Sequence, residues 1–428
     1  MEKLTFVISA PIDTFSGYGA RSRDVVKSII GSDKYDVKIM PQRWGNTSWG
    51  FIENHEEWHF LKPYLLPVGA RLSEKPNIWA QITVPNEFSP IGDYNIGFTA
   101  GIETDTCAPQ WIEGMNRMDL NIVSSNHSKS VFENTKFEIK DQNTKQTTGE
   151  LKLQKPVEVL FEGVNLDTYF PDNSPCMIDF DIKESFAYLF VGHWLPGSMG
   201  EDRKNVSLMV KAFFETFKNK KKQPALILKT SITGGSYMDR DEIVKRITQI
   251  KNTVNSKNLP NVYLLHGNFT DEEMNSIYNH SKVKAMVNLT KGEGFGRPLL
   301  EFSITGKPII STNWSGQIDF LHKDFTTLLG GELKPIHPTA QVKDMLIEGS
   351  KWFAPNTGEI GGALKGMFEN YKNYTDGSKR QAYYSKTNFS LLKMAETLDN
   401  ILDSNILEIP KQVKLELPKL QLPKLQKL

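Results

Sequence analysis

Short apolar runs alternate with amphipathic stretches along most of the chain, and this alternation predicts the main elements of the fold. An apolar run over residues 4–10 predicts a buried strand, and a glycine-bearing turn at 16–19 precedes a helical pattern over about residues 20–30. Further apolar runs predict strands at residues 37–40, 78–82, 96–100, 121–124 and 157–161. Strands that alternate with helices indicate a doubly wound parallel sheet.

One segment departs from this alternation. Residues 137–140 and 150–153 alternate with period two around a polar turn that contains glycine, which predicts an antiparallel hairpin near residues 136–155. The turn-rich segment 171–175 then interrupts the pattern, because its two prolines cannot continue a helix or a central strand. We therefore predict a first domain over residues 1–172.

The alternation of strands and helices restarts after this boundary. The predicted strands cover residues 187–191, 226–228, 262–265, 285–289 and 308–311, and the predicted helices cover residues 206–217 and 240–254. This pattern predicts a second α/β domain over residues 173–380, facing the first across a cleft. Ligands of parallel sheets bind beyond the carboxyl ends of the strands, so the cleft is the expected binding region.

The C-terminal part of the chain is predicted to contain a helix and a tail. A helical pattern covers residues 378–402, and we expect a helix over residues 381–405 to pack back on the N-terminal domain. Residues 406–428 contain the direct repeat Leu-Pro-Lys-Leu-Gln, and proline every few residues rules out a regular helix there. A flexible extension is the simpler interpretation, and a tethering or docking tail is the alternative.

Composition and charge narrow the class of protein. The chain has 51 Lys+Arg against 50 Asp+Glu, so no basic excess favours nucleic acid and no acidic excess indicates a disordered chain. Its two cysteines, Cys107 and Cys176, cannot build a disulfide framework and favour a reducing compartment. No apolar run suits a signal peptide or a spanning helix, so we expect a cytoplasmic protein.

The segment Lys-Gly-Glu-Gly-Phe-Gly-Arg-Pro-Leu-Leu-Glu at 291–301 carries the most chemical information. It follows a predicted strand, its three glycines permit a tight turn close to a ligand, and Pro298 suits the start of a helix. Such a loop between a strand and a helix is an anion site, naturally for phosphate. Glu293 and Glu301 have the carboxylates needed to accept the vicinal hydroxyls of a transferred sugar and of a ribose.

Two glutamates separated by seven residues, in the setting Glu-Gly-Phe-Gly-x-Pro-x-x-Glu, resemble the signature of retaining GT-B glycosyltransferases of family 4. Other segments agree with that family in the same order, up to about residue 402. They are Gly17 and Gly19 (its N-terminal glycine-rich loop), residues 101–111 and 121–125 (the end of its first domain), 163–171 (its interdomain linker), 190–192 with 203–205 (its donor-phosphate segment) and 312–316 (a loop of its second domain).

The resemblance implies an α/β GT-B fold, with two Rossmann-like doubly wound domains facing a cleft, and sugar transfer with retention. A UDP-, GDP- or ADP-sugar would bind as co-substrate, mainly to the second domain, and the acceptor mainly to the first. No cofactor or metal is implied, so positive side chains would stabilise the departing diphosphate. The implied catalytic residues are Glu293, Lys204, Arg203 and Glu103. The implied substrate-binding residues are Gly17, Gly19, His193, Gly294, Phe295, Gly296 and Glu301.

Two positions depart from the family pattern. The usual arginine after the first strand of the second domain is His193 here, and Arg203 is the candidate for the missing charge, because a guanidinium grips phosphate oxygens in pairs. The histidine that many relatives place at the reacting centre has no counterpart between His59 and His127, so Glu103 or Asp105 would occupy its neighbourhood.

Several alternatives remain open at this point. His55 and His59 fit the His-Glu-x-x-His pattern of zinc peptidases, but prolines rather than a third histidine follow, so this alternative is remote. A sugar-nucleotide epimerase and a non-catalytic nucleotide-sugar-binding subunit fit the same architecture. The acceptor is open among a glycan, a lipid-linked glycan, a protein, a small molecule and a modified base. Peripheral membrane contact is also open, and the aromatic-rich stretch Trp44, Trp49, Phe51 and Trp58 suits a surface or a core equally.

Overall fold

The computed structural model describes residues 3–141, 143–178, 180–232 and 234–406. Within these residues the chain forms two parallel sheets, each flanked by helices, and two separate antiparallel hairpins. This is the α/β architecture that the alternating pattern predicts.

The first domain is built on a parallel sheet with the strand order β2-β1-β3-β4-β5-β8. Its strands are β1 (Leu4–Ala10), β2 (Tyr35–Pro41), β3 (Ile78–Ile82), β4 (Tyr94–Phe98), β5 (Leu120–Val123) and β8 (Val157–Val159). Its helices are α1 (Gly17–Gly31), α2 (Phe51–Asn54), α3 (Pro109–Asn116) and α4 (Asn126–Asn134), with 3-10 turns at Glu56–Tyr64 and Pro85–Glu87. As the period-two pattern predicts, β6 (Lys136–Lys140) and β7 (Thr147–Lys152) pair as an antiparallel hairpin.

The second domain repeats this plan with the strand order β11-β10-β9-β12-β13-β14. Its strands are β9 (Ala187–Val191), β10 (Ala225–Lys229), β11 (Val262–Leu265), β12 (Val283–Asn288), β13 (Ile309–Thr312) and β14 (Thr327–Leu329). The helices that follow β9 are α5 (Val206–Phe217), α6 (Tyr237–Asn252), α7 (Asp271–Asn279), α8 (Arg297–Ser303), α9 (Thr357–Glu369), α10 (Lys372–Asn388) and α11 (Leu391–Asn405), with 3-10 turns at Gly316–Asp319 and Pro338–Ala340. The sequence pattern missed the hairpin of β15 (Gly331–Pro335) and β16 (Lys351–Pro355).

The glycine-bearing turn before the first helix differs from the prediction. Helix α1 begins at Gly17, so both turn glycines belong to its first turn. The cause is local: Ser16 has an extended backbone and its hydroxyl accepts a hydrogen bond from the Gly19 amide, which makes Ser16 the N-cap.

The helical pattern over residues 378–402 corresponds to two helices rather than one, α10 and α11. Helix α10 ends before Phe389, and Ser390 caps α11 by accepting a hydrogen bond from the Lys393 amide. Met394, Leu398 and Leu402 on α11 are buried in the core of the first domain. Residue 406 follows α11 directly, whereas residues 407–428 of the predicted tail lie outside the described residues.

We expect truncation of the buried face of α11 to destabilise the first domain. Leu398 is 1% exposed, so Leu398→Ala removes packed methyl groups and leaves a cavity, which costs about 2–5 kcal/mol. Leu392 on the same helix is 72% exposed and supplies the matched control, for which Leu392→Ala should change stability by less than about 0.5 kcal/mol. Thermal unfolding followed by circular dichroism measures both; equal effects would contradict the packing of α11.

Candidate active site

Glu293 lies in the loop after β12, at the carboxyl edge of the second sheet. The Glu293 amide donates to the Ser315 hydroxyl at 2.9 Å, and the Gly316 amide donates to the Glu293 carbonyl at 2.9 Å. The loop after β13 therefore fixes the backbone of Glu293, and its side chain projects between the domains with 7% of its surface exposed.

Three further predicted residues meet Glu293. Lys204 Nζ donates to both carboxylate oxygens of Glu293, at 2.5 and 2.6 Å. Arg203 Nη1 lies 3.6 Å from Glu293 Oε2 and 3.2 Å from Oε1 of Glu103, which belongs to the first domain. It also donates to the Gly292 carbonyl at 2.7 Å. The structure thus brings Glu103, Arg203, Lys204 and Glu293 together, and we call this set the Glu293 cluster.

The turn that presents Arg203 and Lys204 is held by two residues that the sequence analysis did not assign. Asp202 is fully buried and accepts hydrogen bonds from the first turn of α5, from the Val206 amide at 2.9 Å and from the Ser207 hydroxyl at 2.8 Å. Asn205 adopts a left-handed backbone with φ of 57°, which asparagine tolerates better than most residues. The sequence signal for these two roles was the presence of an aspartate and an asparagine just before a predicted helix, because both residue types favour helix starts.

Opposite charges decide the ionisation of the Glu293 cluster. Burial alone raises the pKa of the Glu293 carboxyl, but Lys204 and then Arg203 outweigh it and lower that pKa below its ordinary value. Burial lowers the pKa of Lys204, an effect that the Glu293 carboxylate opposes. The cations are therefore already paired with a carboxylate in the free protein.

Glu301 belongs to a second group of charges that also joins the two domains. Arg297 donates through Nε to Glu301 Oε1 at 3.1 Å and through Nη1 to Asp24 Oδ2 on α1 at 2.6 Å. The Tyr278 hydroxyl donates to Glu301 Oε2 at 3.1 Å. Arg297 lies inside the recognised motif but was treated as a spacer, and Asp24 carried no sequence signal.

Burial dominates the ionisation of Glu301. It raises the pKa of that carboxyl to about 7, although Arg297 acts in the opposite direction. The Arg297 guanidinium is shared with Asp24, which accepts the shorter of its two hydrogen bonds. Glu301 therefore titrates near neutrality, unlike Glu293.

The glycines of the motif allow the two domains to touch backbone to backbone. A Cβ at Gly292 would clash with the Glu103 carbonyl, and a Cβ at Gly294 would clash with the Ala100 carbonyl. Gly296 has φ of 103°, a left-handed backbone that favours glycine. These roles concern domain contact and turn geometry.

The side chain of Phe295 packs inside the second domain. It is 2% exposed, and its ring centroid lies 4.9 Å from that of Phe320. A large apolar ring gains free energy from this burial, so the predicted substrate-binding role of Phe295 would fall to its backbone.

The N-terminal glycines have different surroundings. Gly17 is exposed, and a Cβ there would meet no atom within 4 Å. Gly19 is buried, and a Cβ there would clash with the carbonyl of Thr14 and crowd that of Pro11. Gly19 is thus required by the turn that leads into α1.

His193 and Asp105 lie in different environments. The His193 ring is 3.1 Å from the Ser231 hydroxyl, and desolvation together with Lys204 and Lys229 lowers its pKa, which favours a neutral imidazole beside the Glu293 cluster. Asp105 instead accepts from the Lys351 amide at 2.7 Å and donates its own amide to the Lys351 carbonyl at 2.9 Å. Asp105 therefore anchors the β15–β16 hairpin to the first domain, and Glu103 is the acid at the cluster.

The two histidines of the peptidase-like pattern do not form a metal site. His55 precedes a 3-10 turn, and its Nδ1 lies 2.7 Å from the Phe51 carbonyl. His59 Nε2 lies 3.4 Å from the Glu53 carbonyl. In the part of the chain that the structure describes, no three His, Cys, Asp or Glu side chains are grouped as metal ligands.

A cavity of about 660 Å³ lies elsewhere, between α1, the interdomain linker and α11. Its lining includes Lys27, Val164, Leu166, Leu391 and Asp399, and it contains no member of the Glu293 cluster. The candidate active site is therefore identified by the converging charges of the Glu293 cluster and not by the volume of this cavity.

Comparisons with known proteins concern the activity and the fold. Residues 189–332 match the family model described as glycosyl transferases group 1, which supports glycosyltransferase activity. No curated protein sequence matches the chain. None of the described helices combines the length and the apolar character needed to cross a membrane.

Solved structures resemble nearly the whole chain. HepE from Anabaena, in complex with UDP and glucose, has a TM-score of 0.59 and 12% identity, covering 94% of this chain and 100% of that one. A glycosyltransferase from Rickettsia africae has a TM-score of 0.61 and 14% identity, covering 95% and 99%. Sucrose-phosphate synthase from Thermosynechococcus elongatus has a TM-score of 0.59 and 11% identity, covering 94% and 99%. The chain therefore has the GT-B fold, with two Rossmann-like domains, as predicted.

We expect the Arg297–Asp24 ion pair to hold the domains together. Asp24→Asn removes one of the two carboxylates that pair with the Arg297 guanidinium, whose side chain is 20% exposed, so the loss should stay below the about 3–5 kcal/mol of fully buried pairs. Small-angle X-ray scattering of the free protein should show a larger radius of gyration. Asp33→Asn is the control, because Asp33 pairs with Lys3 at the surface with 89% of its side chain exposed. Identical scattering of the two variants would contradict the role of Asp24.

The raised pKa of Glu301 predicts a pH dependence of stability. Between its ordinary value of 4.5 and about 7, the folded chain keeps a proton that the unfolded chain loses. Stability should therefore fall as pH rises through this window, by at most about 1.4 kcal/mol per pH unit from this group. Urea unfolding at pH 5, 6 and 7 should show a steeper decline for the wild type than for Glu301→Gln. If the free energy of unfolding of the two proteins fell equally with pH, the raised pKa of Glu301 would be ruled out.

Proposed function

We propose that the chain is a retaining, metal-independent glycosyltransferase that moves a sugar from a nucleotide-sugar donor to an acceptor hydroxyl. The observation that carries this proposal is the convergence of Lys204 and Arg203 on Glu293, opposite Glu103 of the first domain. Arg203, Lys204 and Glu293 lie at the carboxyl edge of the second sheet, inside the region that matches the glycosyltransferase model. Parallel sheets bind ligands at this edge.

Lys204 and Arg203 would bind the diphosphate of the donor. Glu293 now accepts the hydrogen bonds of Lys204, and phosphate oxygens accept the same kind of bond. As the bond to the sugar breaks, negative charge grows on the diphosphate, and two cations fixed in advance stabilise it. Because desolvation and neighbouring cations favour a neutral His193, Arg203 supplies the charge that the family arginine would provide.

The carboxylates would bind hydroxyls. Glu293, released from Lys204 by the incoming phosphate, would accept hydroxyls of the transferred sugar, and Glu301 would accept those of the ribose. Glu103 is the first-domain acid at the cluster, which suits it to orient the acceptor hydroxyl. Retention is supported by the motif resemblance rather than by any one distance.

The expected donor and the expected cellular location rest on two separate observations. The HepE structures contain UDP and, in one case, UDP-glucose, which makes UDP-sugars the first donors to test ahead of GDP- and ADP-sugars. The two free cysteines, Cys107 and Cys176, support the cytoplasmic location that we propose.

The proposal predicts which side chains donor turnover requires. Purified protein is incubated with UDP-, GDP- and ADP-sugars, and nucleoside diphosphate release is measured. Lys204→Ala and Glu293→Gln should each lower kcat by about 100-fold or more, since each removes a group that acts on developing charge or on the sugar. His55→Ala is the control and should release nucleoside diphosphate at the wild-type rate. The wild type should also keep this rate when EDTA is added.

Three outcomes would contradict this function. Release that survives Glu293→Gln would show that the wrong site is assigned. Loss of activity with EDTA, restored by a divalent cation, would contradict metal independence. Conversion of the donor sugar into its epimer, without transfer to any acceptor, would favour the epimerase alternative.

A further inference from the structure

Two stacked aromatic rings stand beside the Glu293 cluster on the first-domain side. The rings of Tyr18 and Trp44 are parallel to within 24°, with centroids 4.0 Å apart. Tyr18 lies in the first turn of α1, after β1, and Trp44 follows the end of β2. Because β1 and β2 are parallel neighbours, both residues lie at the carboxyl edge of the sheet, where ligands bind.

Hydrogen bonds place the Tyr18 ring next to the contact between the domains. Its hydroxyl is 3.0 Å from Thr99 Oγ1 and accepts from the Ala100 amide at 3.1 Å. The Ala100 carbonyl is the group that Gly294 approaches so closely that a Cβ would clash. Tyr18 is thus one residue removed from the loop that carries Glu293. Burial raises the pKa of Tyr18 to about 12, so the Tyr18 side chain stays neutral. Its hydrogen bonds hold the ring in place, and the fixed ring supports that of Trp44.

The stack combines one flat apolar face with a polar rim. One face of Tyr18 is covered by Trp44, and Trp44 itself is only half-buried. Gln42, which hydrogen-bonds to Ser9, and Arg43 are close along the chain, and Glu103 acts electrostatically on Tyr18 from the cluster side. A pyranose ring has the matching chemistry, because it presents C–H groups on its faces and hydroxyls around its edge.

We propose that the Tyr18–Trp44 stack binds a sugar ring of the acceptor, so that the acceptor is a carbohydrate. This inference rests on the proposed function, which requires an acceptor hydroxyl close to the Glu293 cluster. Trp44 would carry the sugar on its free face, Tyr18 would fix Trp44, and Glu103 would lie on the side toward the donor.

A membrane lipid fits this place less well. Tryptophans that anchor a protein to a bilayer lie on an outward apolar or basic surface. The Tyr18–Trp44 stack instead lies at the carboxyl edge of the first sheet, where Tyr18 is hydrogen-bonded to Ala100 and interacts electrostatically with Glu103. Its area is that of one ring, far smaller than the apolar patch that membrane contact needs.

Binding of simple sugars to the free protein tests the inference without any enzyme assay. The full chain is titrated with the methyl glycosides of glucose, galactose, mannose and N-acetylglucosamine by saturation-transfer NMR and calorimetry. At least one should bind, and Trp44→Ala should weaken it by about tenfold or more, as loss of an aromatic anchor does. Trp44→Phe keeps a ring and should stay within about threefold. Tyr383→Ala is the control, because Tyr383 is 75% exposed on α10.

The outcomes separate this inference from the proposed function. If the wild type releases nucleoside diphosphate from a donor but binds none of the glycosides, or binds them equally after Trp44→Ala, the acceptor assignment is overturned while the transferase function stands. Sedimentation of the wild type, but not of Trp44→Ala, with phosphatidylglycerol vesicles would also overturn it in favour of a lipid surface. If no donor is turned over, the proposed function fails, whatever the sugars do.

Discussion

Paired charge at the junction of the two domains is the constraint on which the rest of the site depends. Arg203 meets Glu103 across the junction, and Arg297 meets Asp24. Each guanidinium also contacts a glutamate of the motif, Glu293 or Glu301. Charges removed from water are tolerated only when they are paired, so separating the domains would leave two arginines with half of their carboxylate partners. The same ion pairs therefore hold the two domains together and position the candidate catalytic groups.

The glycine-rich loop makes this pairing sterically possible. Gly292 and Gly294 lie against backbone carbonyls of the first domain, where any side chain would keep the domains apart. The same residues that permit phosphate approach in a nucleotide site thus also permit domain contact. This dual requirement gives a physical reason for a motif with three glycines around one glutamate, beyond the flexibility that glycine provides.

Most strands of the two parallel sheets, the first hairpin and the residues of the Glu293 cluster were predictable because each leaves a local pattern, whereas β14, β15 and β16 were not predicted. An apolar run, a period-two alternation or a motif survives without knowledge of the fold. The pairing of Arg297 with Asp24 was not predictable, since it joins positions 273 residues apart, and neither position has a pattern of its own. The orientation of the Phe295 side chain was not predictable either: the motif gives its position, but packing in the second domain against Phe320 decides where the ring lies.

The ion pairs of the free protein also bear on how a donor would bind. Lys204 is already hydrogen-bonded to both oxygens of Glu293, so an incoming diphosphate must compete with an internal anion rather than meet a bare cation. Such competition would lower donor affinity, while the Glu293 carboxylate opposes the effect of burial on the pKa of Lys204 until a phosphate arrives. In the proposed function, the exchange would also release Glu293 when a sugar is present to be bound. A ligand shifts a conformational balance only through contacts that differ between the states, and an exchange of partners at Lys204 would supply such a difference.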